Sequence, residues 1–194
     1  DVGALVANVN YEFIPGLAVG GSYYLGEGST GKGGDTDAGT DKEADVSLYE
    51  VHADYRYKGL ELRGLYAHGE IDDENDAFKN DVALKKVGKE VEGWYLQVAY
   101  DIFPLIRPGT EMSLSPFIRY EQYNTNKEVI SGTPDPTLDK TVATLGFGFK
   151  PHPNVVIKAD YQWKDTKSDK PEGTAGGQDP NKIDQFNIGV GFIF

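Results

Sequence analysis

Gln185-Phe186-Asn187-Ile188-Gly189-Val190-Gly191-Phe192-Ile193-Phe194 closes the sequence. Phe186, Ile188, Val190, Phe192 and Phe194 take every second position, and Gln185, Asn187, Gly189, Gly191 and Ile193 lie between them. Successive side chains of a strand point to opposite faces. Read as a strand, this segment is apolar on one face and mostly small or polar on the other.

The same alternation recurs eight times upstream, at about 4–13, 17–25, 47–57, 60–68, 93–102, 112–123, 141–149 and 155–165, which predicts nine strands. Leu5, Val9, Tyr11 and Phe13 oppose Asn8, Asn10 and Glu12; Tyr49, Val51, Tyr55 and Tyr57 oppose Glu50, His52, Asp54 and Arg56. Leu60, Leu62 and Tyr66 oppose Glu61 and Arg63, and Trp94, Leu96, Val98 and Tyr100 oppose Tyr95, Gln97 and Asp101. Ile118 and Tyr120 oppose Arg119 and Glu121, and Ile157, Tyr161 and Trp163 oppose Lys158, Asp160 and Lys164.

The connections fall into two alternating classes. Ile14-Pro15-Gly16, Lys58-Gly59 and Pro151-His152-Pro153-Asn154 are short, and 104–111 is compact with two prolines. The stretches 26–45, 69–92, 124–140 and 167–183 are long and polar. Short turns on one rim and long loops on the other is the pattern of an outer-membrane β-barrel, with the short rim periplasmic. Four such loops would count against a compact soluble domain.

Alternation alone does not separate a membrane barrel from a soluble sandwich or lipocalin-like barrel. Two features favour the membrane. Asp54, Arg63, Arg119, Lys158 and Asp160 put charge at mid-strand, which suits a wet lumen. The apolar faces end in Tyr or Trp, which suits interfacial aromatic belts. The expectation is an all-β transmembrane antiparallel barrel in the outer membrane of a Gram-negative bacterium, with lipid as its outer partner.

Composition agrees. The 194 residues include 12 Tyr, 9 Phe and 24 Gly, and no Cys, which excludes disulfide and thiolate chemistry. Mean hydropathy is −0.47, and no apolar run approaches the roughly 18–20 residues of a spanning helix. A net charge of −12 argues against nucleic acid as a partner. Asp1-Val2-Gly3-Ala4 has no basic n-region, so any export signal is expected to have been removed.

Nine is an odd count, whereas single-chain bacterial barrels have even counts with both termini in the periplasm. The expectation is therefore a single domain over 1–194 forming the C-terminal part of a larger barrel, with upstream strands missing.

Three stretches carry a family resemblance: Ser115-Pro116-Phe117-Ile118-Arg119-Tyr120-Glu121-Gln122-Tyr123-Asn124, then Thr144-Leu145-Gly146-Phe147-Gly148-Phe149-Lys150-Pro151-His152-Pro153-Asn154-Val155-Val156-Ile157-Lys158-Ala159-Asp160-Tyr161, then 186–194. Together they resemble the C-terminal strands of phosphate-selective porins of the O and P type and their relatives. The resemblance implies a barrel of about 16 strands, usually trimeric, and an assembly signal at Phe192 and Phe194. Phosphate selectivity in that family rests on an arginine ladder and a lysine cluster. This chain has four arginines and an acidic excess, so that selectivity is not carried over.

The expected function is a porin-like channel for passive diffusion of small hydrophilic solutes or ions. The candidate pore lining is Glu50, Asp54, Arg56, Glu61, Arg63, Arg119, Glu121, Lys158 and Asp160. Opposed basic and acidic rows filter ions; the plainer reading, favoured for most of them, is cross-strand pairing that stiffens the wall. Loop 69–92 holds eight carboxylates and four lysines, with helical spacing over 78–87. It either folds into the lumen or stays outside. It lacks the Gly and terminal Glu of an EF-hand loop, and acidic external loops predict mild cation preference at low salt.

Catalysis has little support. His52, His68 and His152 are widely spaced, and no serine is in evident register with His52. No catalytic residue, metal or cofactor is expected. The alternatives to a pore are a structural sheath or scaffold for a partner protein and, well behind, an outer-membrane hydrolase.

Overall fold

The computed structural model describes residues 3–29, 43–72, 88–167 and 182–192. Nine strands form one sheet: β1 (Ala4–Ile14), β2 (Leu17–Ser29), β3 (Glu43–Tyr57), β4 (Leu60–Asp72), β5 (Gly88–Tyr100), β6 (Ser113–Val129), β7 (Asp139–His152), β8 (Val155–Thr166) and β9 (Ile183–Phe192). Each pairs antiparallel with the next, in the order β1 to β9. The sheet is open, and β1 and β9 are its edges.

Three tight turns lie on one rim. Pro15-Gly16 has φ +88° at Gly16, where a Cβ would run into the Arg56 carbonyl oxygen. Lys58 and Gly59 both have positive φ, 47° and 86°, the geometry of the two-residue hairpin turn that matches strand twist. Adjacent turns are stitched along the rim: Arg56 N donates to Gly16 O at 2.7 Å, and Asp101 N donates to Gly59 O at 2.8 Å. The fourth connection on this rim, 101–112, contains a single helical turn, α1 (Phe103–Ile106).

Several strands run further than the hydrophobic alternation. β3 starts at Glu43 rather than near Ser47, β5 at Gly88 rather than near Gly93, and β6 reaches Val129 through Asn124-Thr125-Asn126-Lys127-Glu128. His152 ends β7 rather than sitting in a turn. The ladder continues because antiparallel hydrogen bonding needs only backbone; the apolar row stops where it no longer has an apolar partner. The helical spacing over 78–87 and the terminal Phe194 fall outside the described residues.

Very little of this sheet is a buried core. Among the described residues the buried apolar side chains are Ala99, Val142 and Ala159. Leu96, Ile118 and Leu145 are instead 60%, 62% and 52% exposed at mid-strand. They share a face with Val98, Val51, Leu62, Phe147 and Ile188. This face is edged by aromatic residues at both ends: Tyr23, Tyr49, Tyr66, Trp94, Tyr120 and Trp163 toward the long connections, and Tyr11, Phe13, Tyr55, Tyr57 and Tyr100 toward the short turns. Rings within these bands touch, as Trp94 and Tyr120 do at 5.6 Å and Tyr55 and Tyr57 at 6.4 Å.

Candidate pore-lining face

The opposite face carries the charge. The ladder places Asp54, Arg63, Gln97, Arg119, Thr144 and Gln162 in one transverse row. The next row toward the short turns holds Arg56, Glu61, Ala99, Phe117, Gly146 and Asp160. Glu50 and Glu121 lie on the long-loop side of these rows and Lys158 on the short-turn side. All nine residues singled out in the sequence therefore share one face.

Most of them are paired. Arg63 Nε lies 2.8 Å from Asp54 and 3.0 Å from Glu61, and Arg56 Nε lies 3.1 Å from Asp54 and 3.4 Å from Glu61. Two cations and two carboxylates thus form a closed square across β3 and β4. Arg119 Nε is 2.6 Å from Glu121, and its guanidinium sits over the Tyr95 ring at 3.9 Å, a stacking that arginine favours. Arg63 Nε and Arg119 Nε have no hydrogen-bond partner despite these short distances, so those contacts are ionic rather than hydrogen-bonded. Asp160 accepts from Asn187 Nδ2 at 2.8 Å. Lys158 has no ion-pair partner among the described residues.

A trough of about 610 Å³ follows this face toward the short turns, with walls drawn from β3 through β8. Its cations are Arg56, Lys58, Arg63, Arg119, Lys150 and Lys158, against the carboxylates Glu61 and Asp101. The acidic excess of the whole sequence does not extend here, and three of the four arginines do. Gly146 leaves room between its neighbours in the second row: the Phe117 ring and Asp160 Cβ both lie 2.7 Å from where a Cβ on it would stand.

His52 is the most enzyme-like residue on this face, and its bonds are accounted for. Nδ1 is 2.9 Å from Glu50, and Nε2 is 2.8 Å from Asn10 across Gly20, whose missing Cβ leaves the gap. The neighbouring Ser22 stands opposite Glu50 in the ladder, and His52 stands opposite Gly20. A base directed at a nucleophile needs a hydrogen bond to it.

One cluster escaped the sequence reading. His68, Glu90 and Glu92 bring three donor atoms within 4.8 Å of one another on the apolar-face side, just beyond the Tyr66–Trp94 row. Two register shifts in the β5–β6 ladder, between Gly88 and Glu90 and between Glu90 and Glu92, re-aim Glu90 and bring Lys127 across. Lys127 Nζ donates to Glu90 at 2.6 Å and Glu92 at 2.8 Å. Glu90 first, then Glu92, holds the Lys127 ammonium charged well above the ordinary lysine range. The lysine takes the place between the carboxylates that a metal ion would need.

No protein-family model matches the chain. It is 29% identical over 180 residues to an uncharacterized protein of Aquifex aeolicus (strain VF5), an alignment covering 86% of this chain and 38% of that protein. Its structure is similar to that of OmpT, an outer membrane protein of Vibrio cholerae, with a TM-score of 0.53 and 18% identity, over 98% of this chain and 55% of that one. The chain thus spans little more than a third of one relative and about half of the other. The likeness to OmpT is one of fold: this chain has the antiparallel sheet of an outer-membrane β-barrel, not closed over the nine strands described.

Proposed function

We propose that this chain forms part of the wall of a porin-like channel in a bacterial outer membrane, through which small hydrophilic solutes or ions diffuse passively. One observation carries the reading: the sheet is inverted. Its large apolar side chains are exposed at mid-strand, and the charged side chains of Glu50, Asp54, Arg56, Glu61, Arg63, Arg119, Glu121, Lys158 and Asp160 on its strands share the opposite face. In water the hydrophobic effect opposes that arrangement at roughly 25 cal/mol for each Å² of apolar surface left wet. In a bilayer the apolar rows meet lipid and the charges meet a wet lumen.

The finer parts of the reading follow from it. The edges β1 and β9 need partners, which upstream strands of a larger barrel of about 16 would supply. A homotrimer and kinship with the phosphate-selective O and P type belong to the same proposal, as does the absence of catalysis. Planar-bilayer recording of the full-length protein tests it. Stepwise, ohmic openings are expected; a protein that is folded and inserted yet silent until a bound partner is removed would favour the sheath reading instead.

A further inference from the structure

The connection 101–112 differs from the other three turns on its rim, since it bends onto the apolar face instead of closing directly. Asp101 sets the bend. Its Oδ1 accepts from Phe103 N and from Leu114 N, both at 3.0 Å, while Ile102 N donates to Leu114 O at 2.9 Å. Phe103 then packs on Phe149 of β7, ring to ring at 6.1 Å. On the same face lies a shallow groove of about 500 Å³ lined by Ile102, Leu114, Pro116, Phe147 and Phe149, without a polar residue. Leu105 and Ile106 of α1, three and four residues after the groove-lining Ile102, are 72% and 67% exposed.

Arg107 follows immediately and is exposed. It has no carboxylate partner among the described residues: Asp101 is taken by backbone amides, and Glu111 forms no ion pair with it. We infer that α1 is a lipid-anchoring foot, with Leu105 and Ile106 inserted in the periplasmic leaflet, the groove holding an acyl chain of a phospholipid, and Arg107 meeting its headgroup phosphate.

Charge complementarity selects lipid over a second copy of the chain. The neighbouring positions of this face (Val98, Ile118, Leu145, Phe147, Ile157) are apolar, so a copy packed by the same surface offers Arg107 a counter-charge only where its single exposed Glu111 is brought across. A phosphate diester does, and arginine is suited to grip it. A short apolar turn beside a cation also matches how interfacial segments divide their contacts between acyl chains and headgroups.

The inference rests on the membrane reading, so the test separates the two. The chain has no cysteine, which allows single nitroxide labels on Leu105→Cys, Ile106→Cys and, as control, Leu96→Cys in the full-length protein, reconstituted in phosphatidylethanolamine–phosphatidylglycerol vesicles. Collision with oxygen reports lipid, and collision with a water-soluble nickel chelate reports water. All three labels are expected to favour oxygen, positions 105 and 106 at shallower depth than 96. Oxygen access at 96 with nickel access at 105 and 106 overturns the foot and leaves the barrel standing. Exclusion of both reagents at 105 and 106, with disulfide formation between Ile106→Cys copies, assigns the surface to a second copy and also overturns it. Nickel access at 96 overturns the membrane reading and the foot together. Arg107→Glu, unlabelled, is expected to retain several-fold less phosphatidylglycerol in native mass spectrometry; undiminished retention removes the headgroup contact.

Discussion

At the scale of single residues, the environment around a side chain decides whether its burial or its exposure is the stable state. Phe147 sits on the apolar face at mid-strand, and Ile157 shares that face two residues into β8. Replacing Phe147 by Arg is expected to cost roughly 2–4 kcal/mol in unfolding from lipid vesicles, the cost of a cation near the bilayer midplane, and replacing Ile157 less; an unchanged denaturant midpoint for the Phe147 variant contradicts the outward placement. Asp101 acts differently, through two backbone amides that it accepts from at once. Asp101→Ala strands both donors in a part-buried loop and is expected to cost roughly 1–3 kcal/mol, read in the same unfolding experiment. Substitution of Glu111, at the other end of that loop, is expected to leave stability within error.

At the scale of elements, the tight turns are where backbone geometry and residue type conflict or agree. Lys58 holds φ +47°, a region costing an ordinary L-residue roughly 1–2 kcal/mol. Lys58→Asn is expected to raise stability by a few tenths to about 1 kcal/mol, because Asn tolerates this conformation. Gly16→Ala is expected to destabilise by more than about 1 kcal/mol, since Gly16 has φ +88° and faces the Arg56 carbonyl. Opposite signs at two turns of one rim, measured by unfolding, check that both hairpins close as described. The last strand is a second case. Phe192 ends β9 and is exposed at the sheet edge. Changing Phe194 to Asp is expected to reduce the fraction of heat-modifiable, folded protein on a gel, because an impaired terminal strand leaves an edge unclosed; normal folded levels would count against an assembly role.

At the scale of the molecule, the distribution of charge matters more than its sum. The net charge is −12, yet the trough holds six cations to two carboxylates. In the proposed channel, acidic external loops would concentrate cations at the mouth within a Debye length of roughly 8–10 Å, while the trough would act on whatever had entered. The two fields therefore oppose one another. Arg63→Gln combined with Arg119→Gln is expected to shift the reversal potential across a KCl gradient toward cation preference, most at low salt. A shift toward anions, or none, would mean that Asp54, Glu61 and Glu121 already cancel these arginines and that the trough does not filter charge.

The alternation in Phe186, Ile188 and Val190 or in Leu96 and Val98 determined by itself that there are strands and which side chains share a face, because the period of a strand is a local property. Connection lengths determined the two rims for the same reason. Which oxygen Arg63 meets, how Glu90 and Lys127 come beside His68, and how far β6 runs depend on partners up to dozens of residues away and on bulges that no period announces. The direction of α1 was likewise hidden: Asp101 and Phe149 lie 48 positions apart in the sequence, and only pairing of β5, β6 and β7 brings the turn and its landing surface together. Parity is written in the chain, but juxtaposition across the sheet is decided by register.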